Sequence, residues 1–418
     1  MTAELPPLPH KFEYRLDLAK HVTPRLIQDQ PIHRWFYFPH SFSPQLVEIL
    51  LTEWKLPQQA LVLDPFVGAG TTIYTAGQKG FNALGCDISP LSIFVSNSKV
   101  RVYDADKVRL GTQRVIAFVE GEGTEINIER TDRLKRAFTD AEYAVIKRLQ
   151  YAISSQSEPI KNLLLLALLR IQQSVSRAVP DGGWFRWVER DCQSDLILTA
   201  FSDCVESMLA DLGKADQPTA PLCEAIQHDA RHLEDLRVLY PQLAQGCQAI
   251  ITSPPYPNRH DYSRIFQIEL LTLGLQEADI FTLRYESLRS NVEARPPEKD
   301  LPCFEIPPLL KDVIAALPEN LDRRIEPMLL GYFEDMNAVL HSSYQILAPG
   351  GYVALVVGNV RHGGTMIPVD EILLAIGESL GFDAYSAWVA RLRGNSAQQM
   401  GKFGREPSRE SIVMLQKR

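Results

Sequence analysis

The stretch Ala60-Leu61-Val62-Leu63-Asp64-Pro65-Phe66-Val67-Gly68-Ala69-Gly70-Thr71-Thr72 sets the architecture. Four apolar residues in a row read as a short buried strand. The chain then meets an acid and two glycines before a threonine pair that opens a helix. Strand, glycine-rich turn and helix in that order begin a nucleotide-binding βαβ unit. Gly68 and Gly70 let the backbone come close to a ligand, and Thr71 and Thr72 stand where the free N–H groups of a helix start accept an anion. Position 73 is Ile, so the third glycine of a dinucleotide turn is missing. A turn with two glycines suits a smaller ligand bearing one carboxylate, which S-adenosylmethionine has.

Downstream, the same pattern recurs with other endings. Phe81-Asn82-Ala83-Leu84-Gly85-Cys86-Asp87 is a second strand ending in an acid, about twenty residues on, where a carboxylate accepts the hydroxyls of a ribose. The structural alternative is a plain loop aspartate. Ala225-Ile226-Gln227-His228-Asp229 is a third; Asp229 is placed to accept from an adenine amino group, or to cap the helix through Leu233, Leu236 and Leu239. Cys247-Gln248-Ala249-Ile250-Ile251 is the fourth, and it stops at Thr252-Ser253-Pro254-Pro255-Tyr256. Two prolines fix φ near −65° and remove two donors, so carbonyls at this corner face a ligand without competing N–H groups. A planar amine would be matched twice, its hydrogens by Ser253 and a loop carbonyl, its ring by the Tyr256 face. The alternative is a proline-stiffened turn. All four endings fall at the carboxyl edge of a predicted parallel sheet, where ligands of open α/β folds gather.

With these elements in this order the sequence resembles the DNA amino-methyltransferase family. Asp64 to Thr72 matches its cofactor motif and Thr252 to Tyr256 its catalytic motif, over roughly residues 31–100 and 220–418. The resemblance implies an α/β, Rossmann-like (class I) S-adenosylmethionine-dependent methyltransferase sheet, here with a helical insertion. It implies S-adenosylmethionine held by Asp64, Phe66, Gly68, Gly70, Thr71, Thr72, Asp87 and Asp229. It implies catalysis at Ser253, Pro254, Pro255 and Tyr256, double-stranded DNA as substrate, no metal, and a place in site-specific, restriction-modification chemistry. Relatives acting on adenine usually carry Asp or Asn before Pro-Pro-Tyr, so serine here looks like the cytosine-N4 branch. An adenine-N6 enzyme and a tRNA-base amino-methyltransferase share the cofactor half. A cytosine-C5 enzyme needs a cysteine nucleophile; Pro302-Cys303 is such a pair, but lies in a charged, proline-rich stretch.

The remaining sequence is read around this domain. The 418 residues suggest one large catalytic domain, 31–100 and 216–418, with a helical insertion at 101–215 and an irregular one at 276–320. Residues 1–30 read as an N-terminal arm. His33-Arg34-Trp35-Phe36-Tyr37-Phe38-Pro39-His40 is either core or a pocket wall. Formal charge is −8, from 43 basic against 51 acidic side chains, so DNA would have to meet a local basic face. The best candidate is Arg391, Arg393, Lys402 and Arg405, with Arg409 beyond; a merely solvated charged loop is the alternative. Six cysteines show no CxxC pair, there is no export-type N-terminus, and the longest apolar run is too short to cross a bilayer. These features suggest a cytoplasmic protein with no membrane contact.

Overall fold

The computed structural model describes residues 7–121, 130–181, 184–190, 194–297, 299–393 and 407–418. In chain order its strands are β1 (Phe12–Tyr14), β2 (Leu61–Asp64), β3 (Asn82–Asp87), β4 (Ala178–Asp181), β5 (Trp184–Trp187), β6 (Cys223–Gln227), β7 (Cys247–Thr252), β8 (Leu347–Gly358), β9 (Val360–His362), β10 (Thr365–Ile367), β11 (Phe382–Arg393) and β12 (Ser408–Lys417). Eight of them form one sheet in the order β1-β11-β12-β8-β7-β2-β3-β6. Every neighbouring pair is parallel except the two that β12 makes, so β12 alone runs against the rest. β2 is buried throughout and β7 nearly so. Strands covered on both faces lose the polar alternation of a half-exposed sheet, which is why they read as unbroken apolar runs.

Helices cover both faces. One apolar layer takes Leu46, Ile73 and Val95 from the helices Pro44–Glu53, Thr71–Gln78 and Pro90–Val100. The opposite layer takes Met336 and Ile372 from Ile325–Ile346 and Val369–Ser379. The 101–215 region contributes helices Ala105–Glu120, Asp132–Ala137, Asp140–Ser154, Ile160–Val175 and Ser194–Leu212, with the β4–β5 hairpin. Leu164, Leu168 and Phe201 from it join the first layer, so the region shares the core of the sheet.

Two expectations are corrected. The lead-in is no loose arm: β1 pairs with β11 at the sheet edge, and Val22 and Ile27 are buried. Three residues are too few to display a period of two, so prolines and charge hid the strand. Residues 276–320 are less irregular than their charge suggested, because they include helices Glu277–Glu286 and Pro308–Ala315. The long helix ends at Ile346, and β8 begins at Leu347 and runs through Pro349-Gly350-Gly351. Among the described residues, no helix is long and apolar enough to cross a membrane.

Candidate active site

The chain leaves β2 toward β3 and β6 on one side, and later leaves β7 toward β8 on the other, so the strand order reverses between β2 and β7. Open α/β sheets bind ligands in the crevice at such a reversal. Side chains tie the two strand ends together there. Thr252 Oγ1 donates to Asp64 Oδ1 at 2.6 Å, and the Phe66 N–H donates to the same oxygen at 3.1 Å. Thr72 Oγ1 donates to the Ile251 carbonyl at 3.1 Å. Burial raises the Asp64 carboxyl to about 6, with the hydrogen bonds from Thr252 and the Phe66 N–H working against it.

The glycine turn is built by backbone that other residues would strain. Gly68 has φ +46° and Gly70 φ +78°, and a Cβ on Gly70 would stand 2.9 Å from Ser96 Oγ. The Gly68 N–H donates to Asp87 Oδ2 at 3.2 Å, and the Ser89 N–H to Oδ1 at 2.9 Å. Asp87 is thereby fixed at the end of β3 with lone pairs to spare. Burial raises its carboxyl, and these N–H groups oppose the shift.

A first cavity of about 160 Å³ opens here. Of the sequence-predicted residues, Asp64, Phe66, Gly68, Thr71, Asp87 and Asp229 line it, as do Ser253 and Pro255. Gly70 and Thr72 do not line it; one shapes the turn and the other is fully buried in its tie to β7. Asp229 acts as a cap, accepting from the Arg231 N–H at 2.9 Å, and its Oδ2 is 2.7 Å from the Arg231 guanidinium. Phe38 forms part of the wall, 4.7 Å from Phe266 between ring centroids, while Trp35 and Phe36 are core. The aromatic segment is therefore core and wall at once.

A second cavity of about 270 Å³ lies beyond Ser253. His40, Ser41, Phe42 and Ser253 line both cavities, whereas Tyr256 lines only the second. The Ser253 hydroxyl donates to the Val356 carbonyl at 3.0 Å. Tyr256 is buried with its ring against Gly358, where a Cβ would come within 3.0 Å of Cε2. Behind the corner, His362 Nε2 donates to the Pro257 carbonyl at 2.7 Å.

The basic candidates divide. Arg391 and Arg393 turn inward onto Glu410, at 3.5 and 3.6 Å, on the wall of the second cavity. Arg409 is paired with Asp370 at 2.9 Å and with Glu371. Lys402 and Arg405 lie outside the described residues. Cys303 is exposed and lines neither cavity.

Three features escaped sequence reading. The His40 and His260 rings lie 4.6 Å apart between centroids, tilted by 42°, although 220 positions separate them, and burial pushes His40 down to about 4. Lys99 is fully buried, its ammonium donating to the carbonyls of His33 at 2.9 Å, Ala69 at 3.0 Å and Phe36 at 3.4 Å. Glu410 lies in the polar start of β12, Ser408-Arg409-Glu410-Ser411, and is buried there, which nothing in that pattern signals.

No family model matches the chain. Among curated proteins it is similar to the Type II methyltransferase M.AvaI of Nostoc sp., 29% identical over 448 residues, spanning 98% of this chain and 92% of that protein. It is similar also to the Type II methyltransferase M.BsoBI of Geobacillus stearothermophilus, 29% identical over 450 residues, with 95% and 88% covered. A shorter likeness, 28% identical over 123 residues, covers 28% of this chain and 33% of the tRNA (guanine(10)-N2)-dimethyltransferase of Methanocaldococcus jannaschii. A reversal-point cavity with a glycine turn beside it thus accompanies a likeness to Type II methyltransferases over nearly the whole length of the chain.

Proposed function

We propose that the protein transfers a methyl group from S-adenosylmethionine to the N4 amine of a cytosine flipped out of double-stranded DNA, at a specific site. The observation that supports this most directly is the position and bonding of Ser253. It stands between the two cavities, and its only proton is directed at the Val356 carbonyl. The oxygen it offers inward is therefore an acceptor, the property an amino group requires.

The first cavity has the polar inventory of the cofactor. Asp87 retains lone pairs for a ribose diol, Asp229 accepts from an adenine amine, and the start of the helix Thr71–Gln78 suits a carboxylate. When bound, the cofactor supplies an electrophilic methyl group. The chain's own residues do the rest. Cytosine's amine is a poor nucleophile because its lone pair is delocalised into the ring. Ser253 Oγ and the Pro254 carbonyl, accepting its two hydrogens, favour a more tetrahedral nitrogen and stabilise positive charge as it develops. Pro254 and Pro255 hold that corner rigid, and Tyr256 stacks on the base after it leaves the duplex. Alignment of nitrogen and methyl at about 3–3.5 Å supplies much of the remaining rate.

Incubation of purified protein with labelled S-adenosylmethionine and unmodified DNA, followed by nucleoside digestion and mass spectrometry, tests this reading. N4-methylcytosine is the expected product. N6-methyladenine would replace the cytosine assignment while leaving the enzyme class. The partial likeness to a tRNA methyltransferase makes tRNA the control substrate, and label appearing in tRNA alone would overturn DNA as the target. Sequencing of the modified DNA identifies the site.

A further inference from the structure

The second cavity has a polar wall that gripping an amine does not by itself require. Glu410, on β12, is 5% exposed. Its carboxylate lies 3.6 Å from Arg393 Nη1 through Oε1 and 3.5 Å from Arg391 Nη1 through Oε2. These are ion-pair distances, and among the described residues Oε2 has no hydrogen-bond partner. Arg391 is the direct cross-strand partner of Glu410, and each arginine side chain keeps about a third of its surface open. Buried polar groups are nearly always hydrogen-bonded, so a buried carboxylate short of partners between two half-open guanidinium forks is arranged for a polar guest. Ser253 and Tyr256 line the same cavity, which gives the guest an acceptor and a flat face as well.

Resting on the cytosine reading above, we infer that Arg391 and Arg393, positioned by Glu410, read the edge of the flipped base: they donate to its ring nitrogen and oxo group while Ser253 accepts from its amine. Cytosine presents donor, acceptor and acceptor along that edge. Adenine presents donor and acceptor and then a C–H group. A wall that offers acceptor, donor and donor matches the first and leaves a guanidinium N–H facing carbon in the second. An unsatisfied buried donor of this kind lowers preference by about ten- to hundredfold. Uracil and thymine lack the amine. Glu410 is thus a positioning residue, and the two arginines set base choice rather than phosphate affinity.

The test uses duplexes that carry the site found by sequencing, with the target either cytosine or a 2-aminopyridine C-nucleoside, which keeps amine and ring nitrogen and lacks the oxo group. Single-turnover methyl transfer is measured for the wild type, Glu410→Gln and the double variant Arg391→Met/Arg393→Met, with cofactor binding and thermal melting as folding controls. The wild type is expected to prefer cytosine by about tenfold or more, and the preference should collapse toward unity in the double variant and shrink in Glu410→Gln. A preference that survives in both variants overturns the inference. So does a wild type that methylates both duplexes equally, a result that stands even where a variant does not fold. Failure of the underlying reading shows separately, as absence of N4-methylcytosine from wild-type reactions on cytosine itself.

Discussion

At the scale of single residues, the proposed function divides the work of Ser253 and Asp87 between two cavities that share a wall. Ser253 touches the region where the amine would sit, and Asp87 lies in the first cavity only. Ser253→Ala removes the acceptor without touching the glycine turn, so methyl transfer should fall about 10²–10³-fold with cofactor affinity nearly unchanged. Asp87→Ala removes the acceptor of the Gly68 and Ser89 N–H groups along with its own ligand contact. Cofactor affinity should then fall about tenfold or more. Isothermal titration with the cofactor beside single-turnover kinetics separates the two, and equal loss of affinity in both variants would contradict the division. Both residues could be found from sequence because each ends an apolar run. The partners of Glu410 and His40 could not be, since they are set by strand pairing and by loops far apart in the chain.

At the scale of elements, the crevice is held by contacts that join segments rather than by any one segment. Lys99, from the helix Pro90–Val100, links the His33–Phe36 segment to Ala69 in the glycine turn through three carbonyls. Burial lowers its ammonium to about 7, with Arg170 adding to the effect. Lys99→Met keeps the bulk and deletes the donors. Stability should drop by about 1–3 kcal/mol, and bound cofactor should restore less than it does in the wild type because the turn is no longer anchored. Urea denaturation with and without cofactor measures both. Asp64 predicts a pH effect. Its carboxyl is raised in the folded protein from 3.8 to about 6, so the folded chain holds a proton that the unfolded chain has released. Stability is therefore lost as pH rises across that window, and levels above it. Asp64→Asn should flatten this decline in denaturation series taken across the same range. The parallel strands and their acidic endings were legible because burial on both faces leaves plain apolar runs. β1 was hidden by its length, and Lys99 looked like any helix lysine because a sequence does not display which carbonyls a fold will bring to it.

At the scale of the whole molecule, a chain of formal charge −8 that acts on DNA, as proposed, would have to hold a polyanion with a local basic face. Much of the basic charge near the second cavity is internally matched. Arg409 faces Asp370 and Glu371 and lies over the Phe12 ring at 5.3 Å, so it fastens the helix Val369–Ser379 and β1 to β12. Arg391 and Arg393 face Glu410. The other two basic residues proposed to meet phosphate are Lys402 and Arg405, which lie outside the described residues. The salt dependence of DNA affinity sorts them. Each phosphate contact contributes about 0.9 to the slope of log K against log salt, so Lys402→Ala and Arg405→Ala should each flatten the slope by roughly that amount. Arg409→Ala should instead lower the melting temperature and leave the slope nearly as it was, because the charge it frees on Asp370 is buried and unpaired. Binding titrations from low to moderate salt, run beside thermal melts on the same variants, give both readouts. A slope unchanged by Lys402→Ala and Arg405→Ala together would move the phosphate contact to another face, with the exposed arginine of the β4–β5 hairpin, Arg186, the next position to replace.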